Sequence, residues 1–156
     1  MARPYSVAAD RALRALLPGS QFMDAFQVAS SRQDLNARSA AEAMMADPPA
    51  WVDGLMGLRN LLVRPLGLKT GADSPNWPDR IGMFPVVSQS PERVVMGFED
   101  KHLDFRVVVQ VASARGEILV TATTIVRLNN LLGRAYLTVI MPFHRIIVPS
   151  MLSAIG

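Results

Sequence analysis

Cysteine is absent from the sequence. The chain therefore forms no disulfide bond and offers neither a thiolate metal site nor a cysteine nucleophile. It also contains no glycine-rich phosphate loop, no Ser-His-Asp phrase and no conspicuous pair of catalytic carboxylates. Of the two histidines, His102 and His144, the first forms a His102-x-Asp104 phrase that has no second histidine nearby to complete a metal site. We predict neither a metal nor another cofactor.

Long apolar runs are also scarce. Charged residues or histidine interrupt both the N-terminal segment, residues 1 to 19, and the most apolar later stretch, residues 131 to 152. The interrupting residues are Asp10, Arg11 and Arg14 in the first segment and Arg134, His144 and Arg145 in the second. The first segment therefore lacks the apolar core of a signal peptide, and the second is a poor candidate for a membrane span. We expect a cytoplasmic protein.

Concentrated positive charge is missing as well. The net charge is only +3, and the 16 basic residues, nearly all of them arginine, are scattered along the chain. Aromatic residues make up 6% of the sequence and lie mostly in apolar segments. Nucleic-acid binding typically uses a basic patch together with aromatic side chains that stack on bases. We therefore predict no nucleic-acid partner.

The composition indicates a folded domain with more apolar surface than a core alone needs. At 156 residues the chain fits one domain, in which residues 1 to 18 are expected to form a peripheral helix or arm. Hydrophobic residues make up 50% of the sequence and charged residues 19%, which excludes a disordered chain. Such an apolar excess indicates a lined cavity, an oligomer interface or contact with a membrane.

The first part of the chain predicts one strand followed by two short helices. Residues 21 to 30 alternate as a strand does. The residues on one side of this strand are Phe22, Asp24, Phe26 and Val28. Ser39 followed by Glu42 is a capping-box pattern that opens the first helix. Asp47 before Pro48 starts the second helix, because proline at the first helical position loses no needed donor.

Four further strands are predicted, at about residues 81–88, 93–99, 102–112 and 117–128. A turn at Asp100-Lys101 would form the pairs Phe98–Leu103, Met96–Phe105 and Val94–Val107. A turn at Arg115-Gly116 would form the pairs Val111–Val120, Val109–Ala122, Val107–Thr124 and Phe105–Val126. One continuous apolar face then crosses three strands, which is typical of a half-buried antiparallel sheet.

The opposite face of this sheet carries polar residues of the same strands. One hypothesis makes them a catalytic centre, in which His102 is a general base oriented by Glu99 or Asp104. Arg106 would then stabilise an anion. The alternative is a solvated ladder of cross-strand pairs, namely Glu99–His102, Asp104–Arg127 and His102–Asn129. Because the other face is continuously apolar, we favour the ladder.

The segment from residue 129 onward predicts a long and unusually apolar helix. Asn129 or Asn130 is expected to cap this helix and Pro142 to kink it. At helical spacing, one broad face is formed by Leu132, Tyr136, Val139, Ile140, Phe143 and Ile147. His144 lies on a flank of the helix, together with Leu137, Met141, Val148 and Met151. A helix this apolar is expected to be buried over most of its girth.

Three phrases of the sequence resemble the DUF2867 family. They are LRNLLVRPLGLKT (58–70), IGMFPVVSQSPERVVMGFEDKHLDFRV (81–107) and NNLLGRAYLTVIMPFHRIIV (129–148). The order of elements also looks like the helix-grip plan of the SRPBCC superfamily, which includes START-like and polyketide-cyclase-like proteins. The resemblance implies an α+β fold in which a curved antiparallel sheet of five or more strands packs on a long C-terminal helix. Two shorter helices would follow the first strand.

This fold would leave an apolar cavity between sheet and helix, and our first hypothesis is that it binds a hydrophobic small molecule. The residues predicted to line the site are Phe84, Met96, Phe98, Phe105, Val107, Tyr136, Ile140, Phe143 and His144. A second hypothesis is a cyclase-like enzyme doing acid/base chemistry there, with His144 or Arg59 as the candidate catalytic group. A third is a homo-oligomer, in which the helix flank formed by Leu137, Met141, Val148 and Met151 contacts another subunit.

Overall fold

The computed structural model describes residues 3–46, 79–81, 84–99 and 103–156. The first elements along this part of the chain are β1 (Tyr5–Val7), a 3₁₀ helix (Arg11–Leu16), β2 (Phe22–Ser30) and α1 (Ala37–Ala46). They are followed by β3 (Arg80–Ile81), β4 (Phe84–Gln89), β5 (Arg93–Glu99), β6 (Leu103–Ala114), β7 (Glu117–Leu128) and α2 (Leu131–Leu152). The helix predicted to begin at Asp47-Pro48, with Arg59 in it, lies outside the described residues.

The described strands form one antiparallel sheet in the order β1-β2-β7-β6-β5-β4-β3. The predicted α+β class is therefore confirmed. The strand predicted at residues 21 to 30 is β2, and it pairs with β7 along its whole length. Before it comes the short strand β1, which the sequence analysis did not predict. The sheet is the layer against which all of the described helices pack.

The two predicted hairpins differ in how well their registers agree with the structure. Between β6 and β7 the predicted register is confirmed, including the pair Asp104–Arg127. Between β5 and β6 the prediction is wrong by two residues, since Met96 pairs with Val107 and Glu99 with Asp104 rather than with His102. Side chains alternate with a period of two, so a two-residue shift keeps every side chain on its predicted face. His102 itself lies outside the described residues.

The inner face of the sheet is the one that the two helices cover. At the end near α1, its core consists of fully buried residues from four strands and from the C-terminus, namely Val28, Val94, Val109, Val120, Leu152 and Ile155. The hydroxyl of Ser30, buried on β2, donates a 2.8 Å hydrogen bond to the carbonyl of Ile155. This bond fixes the C-terminal residues onto the sheet, where they close the core.

The outer face is not the solvated polar ladder that was predicted. Leu13 and Leu17, from the 3₁₀ helix and the residue after it, cover a second apolar cluster that includes Val108 and Ile125. Arg127 donates two hydrogen bonds to one oxygen of the buried Asp104, at 3.0 and 2.7 Å. Its Nη1 also donates to the carbonyl of Pro18 at 2.9 Å. The predicted ion pair is thus present, but the N-terminal segment covers it.

Helix α1 begins earlier than predicted. Asn36, not Ser39, is the cap: its Oδ1 accepts a hydrogen bond from the Ser39 backbone N–H at 2.8 Å. In return, the Ser39 hydroxyl accepts from the Asn36 N–H at 2.9 Å. Glu42, predicted to complete the capping box, instead accepts a bond from Arg38. A capping box needs two reciprocal polar partners three residues apart, and Asn36 and Ser39 meet that requirement one turn before the predicted pair does.

Helix α2 begins after Asn130, whose side chain accepts a 3.0 Å hydrogen bond from the Gly133 N–H. Its halves Leu131–Val139 and Met141–Leu152 are bent by 56° relative to each other, close to Pro142, which removes a backbone donor. The predicted broad buried face is wrong for Val139 and Phe143, which are exposed. No single helix among the described residues is long and apolar enough to cross a membrane, although the two halves of α2 together pass that test by length and composition.

Gly97 is required where β5 approaches β6 most closely. It has a φ of +148°, and a Cβ there would collide with the carbonyl oxygen of Phe105. We expect Gly97→Ala to lower the free energy of unfolding by about 2–4 kcal/mol, because strained backbone and a backbone clash add together. Gly116→Ala is the control, since φ is +81° there but nothing lies within 4 Å. It should cost only about 1 kcal/mol. Urea denaturation compares the two, and equal losses would contradict the steric explanation.

Candidate functional site

The inner face of the sheet is more completely buried around Val28 and Val120 than around Phe22 and Phe105. Away from α1, one row of paired residues crosses the sheet as Asp24, Thr124, Val107 and Met96. The next row crosses it as Phe22, Val126, Phe105 and Phe98. Met96 and Val126 are buried, but Phe22, Phe105 and Val107 keep part of their surface exposed. This half-buried end is the candidate functional site.

Aromatic rings give the site its main apolar surface. Phe84, from β4, meets Phe105 of β6 edge to face, with ring centroids 5.2 Å apart and an interplanar angle of 81°. Such edge-to-face contacts orient rings specifically and contribute beyond the apolar area that they bury. Both rings are partly exposed. They therefore present flat apolar surface on the inner side of β4 and β6.

The site also contains a histidine–carboxylate pair. Nε2 of His144, on α2, lies 3.1 Å from each carboxylate oxygen of Asp24 on β2. The His144 side chain is 17% exposed and that of Asp24 is 23% exposed. Phe22 packs its ring against the imidazole, with centroids 6.2 Å apart and an interplanar angle of 80°. The pair joins the terminal helix to the sheet at the half-buried end.

This geometry assigns distinct roles to the two ring nitrogens of His144. A carboxylate only accepts hydrogen bonds, so Nε2 carries the hydrogen that Asp24 receives. In the neutral ring Nδ1 is then an acceptor, and the hydrogen bond of Nε2 determines this tautomer. The arrangement matches that of a general base oriented by a carboxylate. Polar groups on an apolar face are costly to desolvate, and the mutual hydrogen bond offsets that cost.

Sequence reasoning placed His144 near the site but missed Asp24 as its partner. The alternation of residues 21 to 30 puts Asp24 on the same side as Phe22 and Phe26, and the structure confirms that side. The feature of the sequence that could have indicated the partner is that Asp24 is the one acidic residue among apolar residues on its side of the strand. Its partner follows 120 residues later, so only the fold brings the two side chains together.

The other predicted site residues fall into three groups. Met96 is fully buried, and Phe84, Phe105 and Val107 are half-buried on the inner face. Phe143 is exposed, because it lies on the outward side of α2. For Phe98, Tyr136 and Ile140 the structure describes only the strand or helix that contains them, and Arg59 lies outside the described residues. Five of the predicted residues therefore lie on the inner side of the sheet. Met96 is buried there, and Phe84, Phe105, Val107 and His144 are half-buried.

The polar stripe of β6 does not belong to this site. Asp104 faces the outer side and is paired with Arg127. Nη1 of Arg106 donates to the carbonyl of Phe105 at 2.9 Å, which holds its guanidinium against the strand. Among the described residues, no group of three histidine, aspartate or glutamate side chains is arranged to bind a metal. His102 lies outside the described residues, so the hypothesis of a catalytic centre on the Glu99–Arg106 stripe stays a prediction.

Comparison with protein families matches residues 16–151 to DUF2867, which is described as a protein of unknown function. The chain belongs to the DUF2867 family. Comparison with curated proteins found no match, and comparison with solved structures found none either. The match extends over both partners of the histidine–carboxylate pair, since Asp24 and His144 lie within it.

A second charged cluster in this DUF2867 protein ties α1 to the sheet, outside the candidate site. Arg38 donates to both carboxylate oxygens of Asp79, at 2.7 and 2.8 Å, and also contacts Glu42 and Gln89. Hydrogen bonding to Asp79 raises the pKa of the Arg38 guanidinium above its usual value, and Glu42 adds to the effect. The cluster connects α1 with the residue before β3 and with β4. Its guanidinium hydrogen bonds are directed at protein side chains, which is typical of a structural clamp.

The Asp24–His144 contact is testable as a pairwise energy. We expect the single variants Asp24→Ala and His144→Ala to lower the free energy of unfolding, and the double variant to lower it by less than their sum. The coupling energy should be about 1 kcal/mol, because each single variant leaves a polar partner unpaired. Urea denaturation of the four proteins at neutral pH measures it. Pairing Asp24→Ala with Arg38→Ala is the control cycle, and it should be additive.

Proposed function

We propose that this DUF2867 protein binds a hydrophobic small molecule between the inner face of its sheet and helix α2, in a helix-grip arrangement. The observation that carries the proposal is the difference between the two ends of one apolar face. Near α1 the face is filled by side chains such as Val120 and Leu152. Near His144 its aromatic residues Phe22 and Phe105 remain partly exposed, although they face the helices.

Physical chemistry supports an apolar occupant at this end. Covering exposed apolar surface contributes about 25 cal/mol per Å², and ring faces such as those of Phe84 and Phe105 suit aromatic or polycyclic ligands. Ligand sites are typically apolar with a few placed polar groups. His144 and Asp24 supply such a group here. The ligand that fits this chemistry is an apolar molecule with one hydrogen-bonding substituent.

The antiparallel sheet and the C-terminal helix support the helix-grip assignment. Helix α2 follows the last strand directly and contacts β2 and β7. The pair Asp24–His144 is one point of attachment, and the bond from Ser30 to Ile155 anchors the chain just beyond the helix. Both attachments lie on β2, so the C-terminal part of the chain is held against this strand.

Replacing one valine of the candidate site with a larger side chain tests the proposal. Val107→Trp, at the half-buried end, is expected to fill the site. Native mass spectrometry after gentle purification should show an apolar ligand on the parent protein and none on the variant. Affinity for an aromatic fluorescent probe such as ANS should fall at least about tenfold.

Val111→Trp is the matched control, because Val111 is also half-buried on the same strand and face but pairs with the fully buried Val120, away from Phe105. This variant should keep the ligand and the probe affinity, provided that circular dichroism shows both variants to be folded. Loss of binding in Val111→Trp alone, or a parent protein that binds no apolar molecule, would contradict the proposal.

Acid–base catalysis in the same site is the second candidate function, and the Asp24–His144 contact favours it. A carboxylate that accepts from one imidazole nitrogen orients the ring and stabilises its protonated form, as a catalytic base requires. In this version the ligand is a substrate, and Nδ1 of His144 removes a proton from it. A polyketide-cyclase-like reaction on a hydrophobic carbonyl compound fits such a base.

A turnover experiment separates catalysis from binding alone. The ligand identified by native mass spectrometry is incubated with the parent protein and with His144→Gln, which keeps a polar side chain of similar length. If the protein is an enzyme, the parent should convert the ligand and His144→Gln should bind it but convert it at least about a hundredfold more slowly. Equal conversion by both proteins would exclude His144 as the base. A ligand that stays unchanged on the parent supports simple binding.

A further inference from the structure

The outward side of α2 carries an apolar stripe that the rest of the described structure leaves in water. Leu131 is 82% exposed, Val139 65%, Ile146 55% and Phe143 38%. Leu131 and Val139 lie in the first half of α2 and Ile146 in the second, so both halves of the bent helix carry exposed apolar residues. The inward flank behaves oppositely, since Val148 and Met151 pack against the inner core. Two residues of the flank predicted to contact another subunit, Val148 and Met151, are therefore turned toward the core, whereas the stripe is exposed.

The charged residues of α2 itself have one sign. Arg134, in the first half of α2, and Arg145, in the second half, are both exposed. Helix α2 contains no aspartate or glutamate, and neither do the residues after it. The last acidic residue in the sequence is Glu117, in β7. The outward side of α2 is thus both apolar and exclusively basic.

We propose that this outward side docks on an anionic lipid bilayer. Helices that lie in a membrane interface bury an apolar side and place arginines near the headgroups. Arginine side chains beside an apolar stripe reach the headgroup layer while their stems contact the acyl region. Arg134 and Arg145 are exposed on the same helix as Leu131, Val139 and Ile146. Anionic headgroups supply the charge that complements them.

Charge favours a bilayer over a second copy of the chain. In a symmetric dimer through this side, α2 would meet α2, because an isologous interface uses the same surface on both subunits. The arginines of one helix would then face a partner helix that has no acidic residue. Like charges without counter-charges oppose such an interface. A bilayer with acidic lipids offers both an apolar layer and negative charge.

The docking surface is independent of the proposed ligand site. His144 points to the inner face and contacts Asp24, whereas the stripe faces away from the sheet. Substitutions on the stripe therefore leave the histidine–carboxylate pair unchanged. Failure of one proposal does not bear on the other.

Vesicle flotation tests the docking surface. The parent protein is mixed with vesicles of pure phosphatidylcholine, or of two parts phosphatidylcholine to one part phosphatidylserine. It should float with the anionic vesicles and much less with the neutral ones. Adding salt should reduce binding, because headgroup attraction is screened. Arg134→Gln and Arg145→Gln should each lower the partition coefficient about fivefold. Val139→Asp and Ile146→Asp should each abolish flotation.

Matched controls use exposed residues away from α2. Val87→Asp places the same charge on an exposed valine of β4, and Arg115→Gln removes a charge from the β6–β7 turn. Both should float as the parent does. The proposal is overturned if the folded parent floats with neither vesicle, or if the controls lose binding as the α2 variants do. It is also overturned if light scattering shows a dimer that Val139→Asp dissociates while vesicle binding is absent.

Discussion

The antiparallel ladder between β6 and β7 is the constraint on which the other layers depend. Its register is set at the hairpin turn, where Arg115 and Gly116 both have positive φ angles, of 52° and 81°. This is the geometry of a two-residue type I′ turn, whose twist matches that of the strands it joins. A slip of one residue would exchange the two faces of each strand. Since each face carries its own apolar cluster, such a slip would expose both.

The strand registers show which parts of the fold could be predicted from the sequence. The β6–β7 register could be predicted because the two-residue turn allows one pairing that puts the apolar residues of both strands on the same face. Between β5 and β6 the connection is longer, and registers two residues apart both align apolar residues, so the pattern could not separate them. The cover over Val108 and Ile125 was missed because Leu13 and Leu17 are remote in sequence from both. Local periodicity predicts a face but not what packs on it.

The candidate site could likewise be predicted only in part, because local periodicity does not show which distant residues meet. The side on which Asp24 lies could be predicted from alternation, and the flank of His144 from helical spacing, but no local rule connects the two residues. Their contact depends on where α2 crosses β2, which is a property of the whole fold. A carboxylate and an imidazole on an apolar face are costly unless they pair, and apolar residues of similar volume often replace such pairs without loss of stability. Packing alone would therefore not require this pair.

The composition of α2 links its two sides. Because most of its residues are apolar and only two are charged arginines, periodicity alone could not decide which side faces the sheet, and the exposure of Val139 and Phe143 was not predicted. The absence of acidic residues has two consequences. On the outward side it leaves Arg134 and Arg145 without a counter-charge within the helix. On the inward side, the carboxylate for His144 has to come from another element, and β2 provides it as Asp24. The lack of acidic residues thus makes the helix depend on the sheet for the contact of His144 and leaves its outer arginines without an acidic partner in the helix.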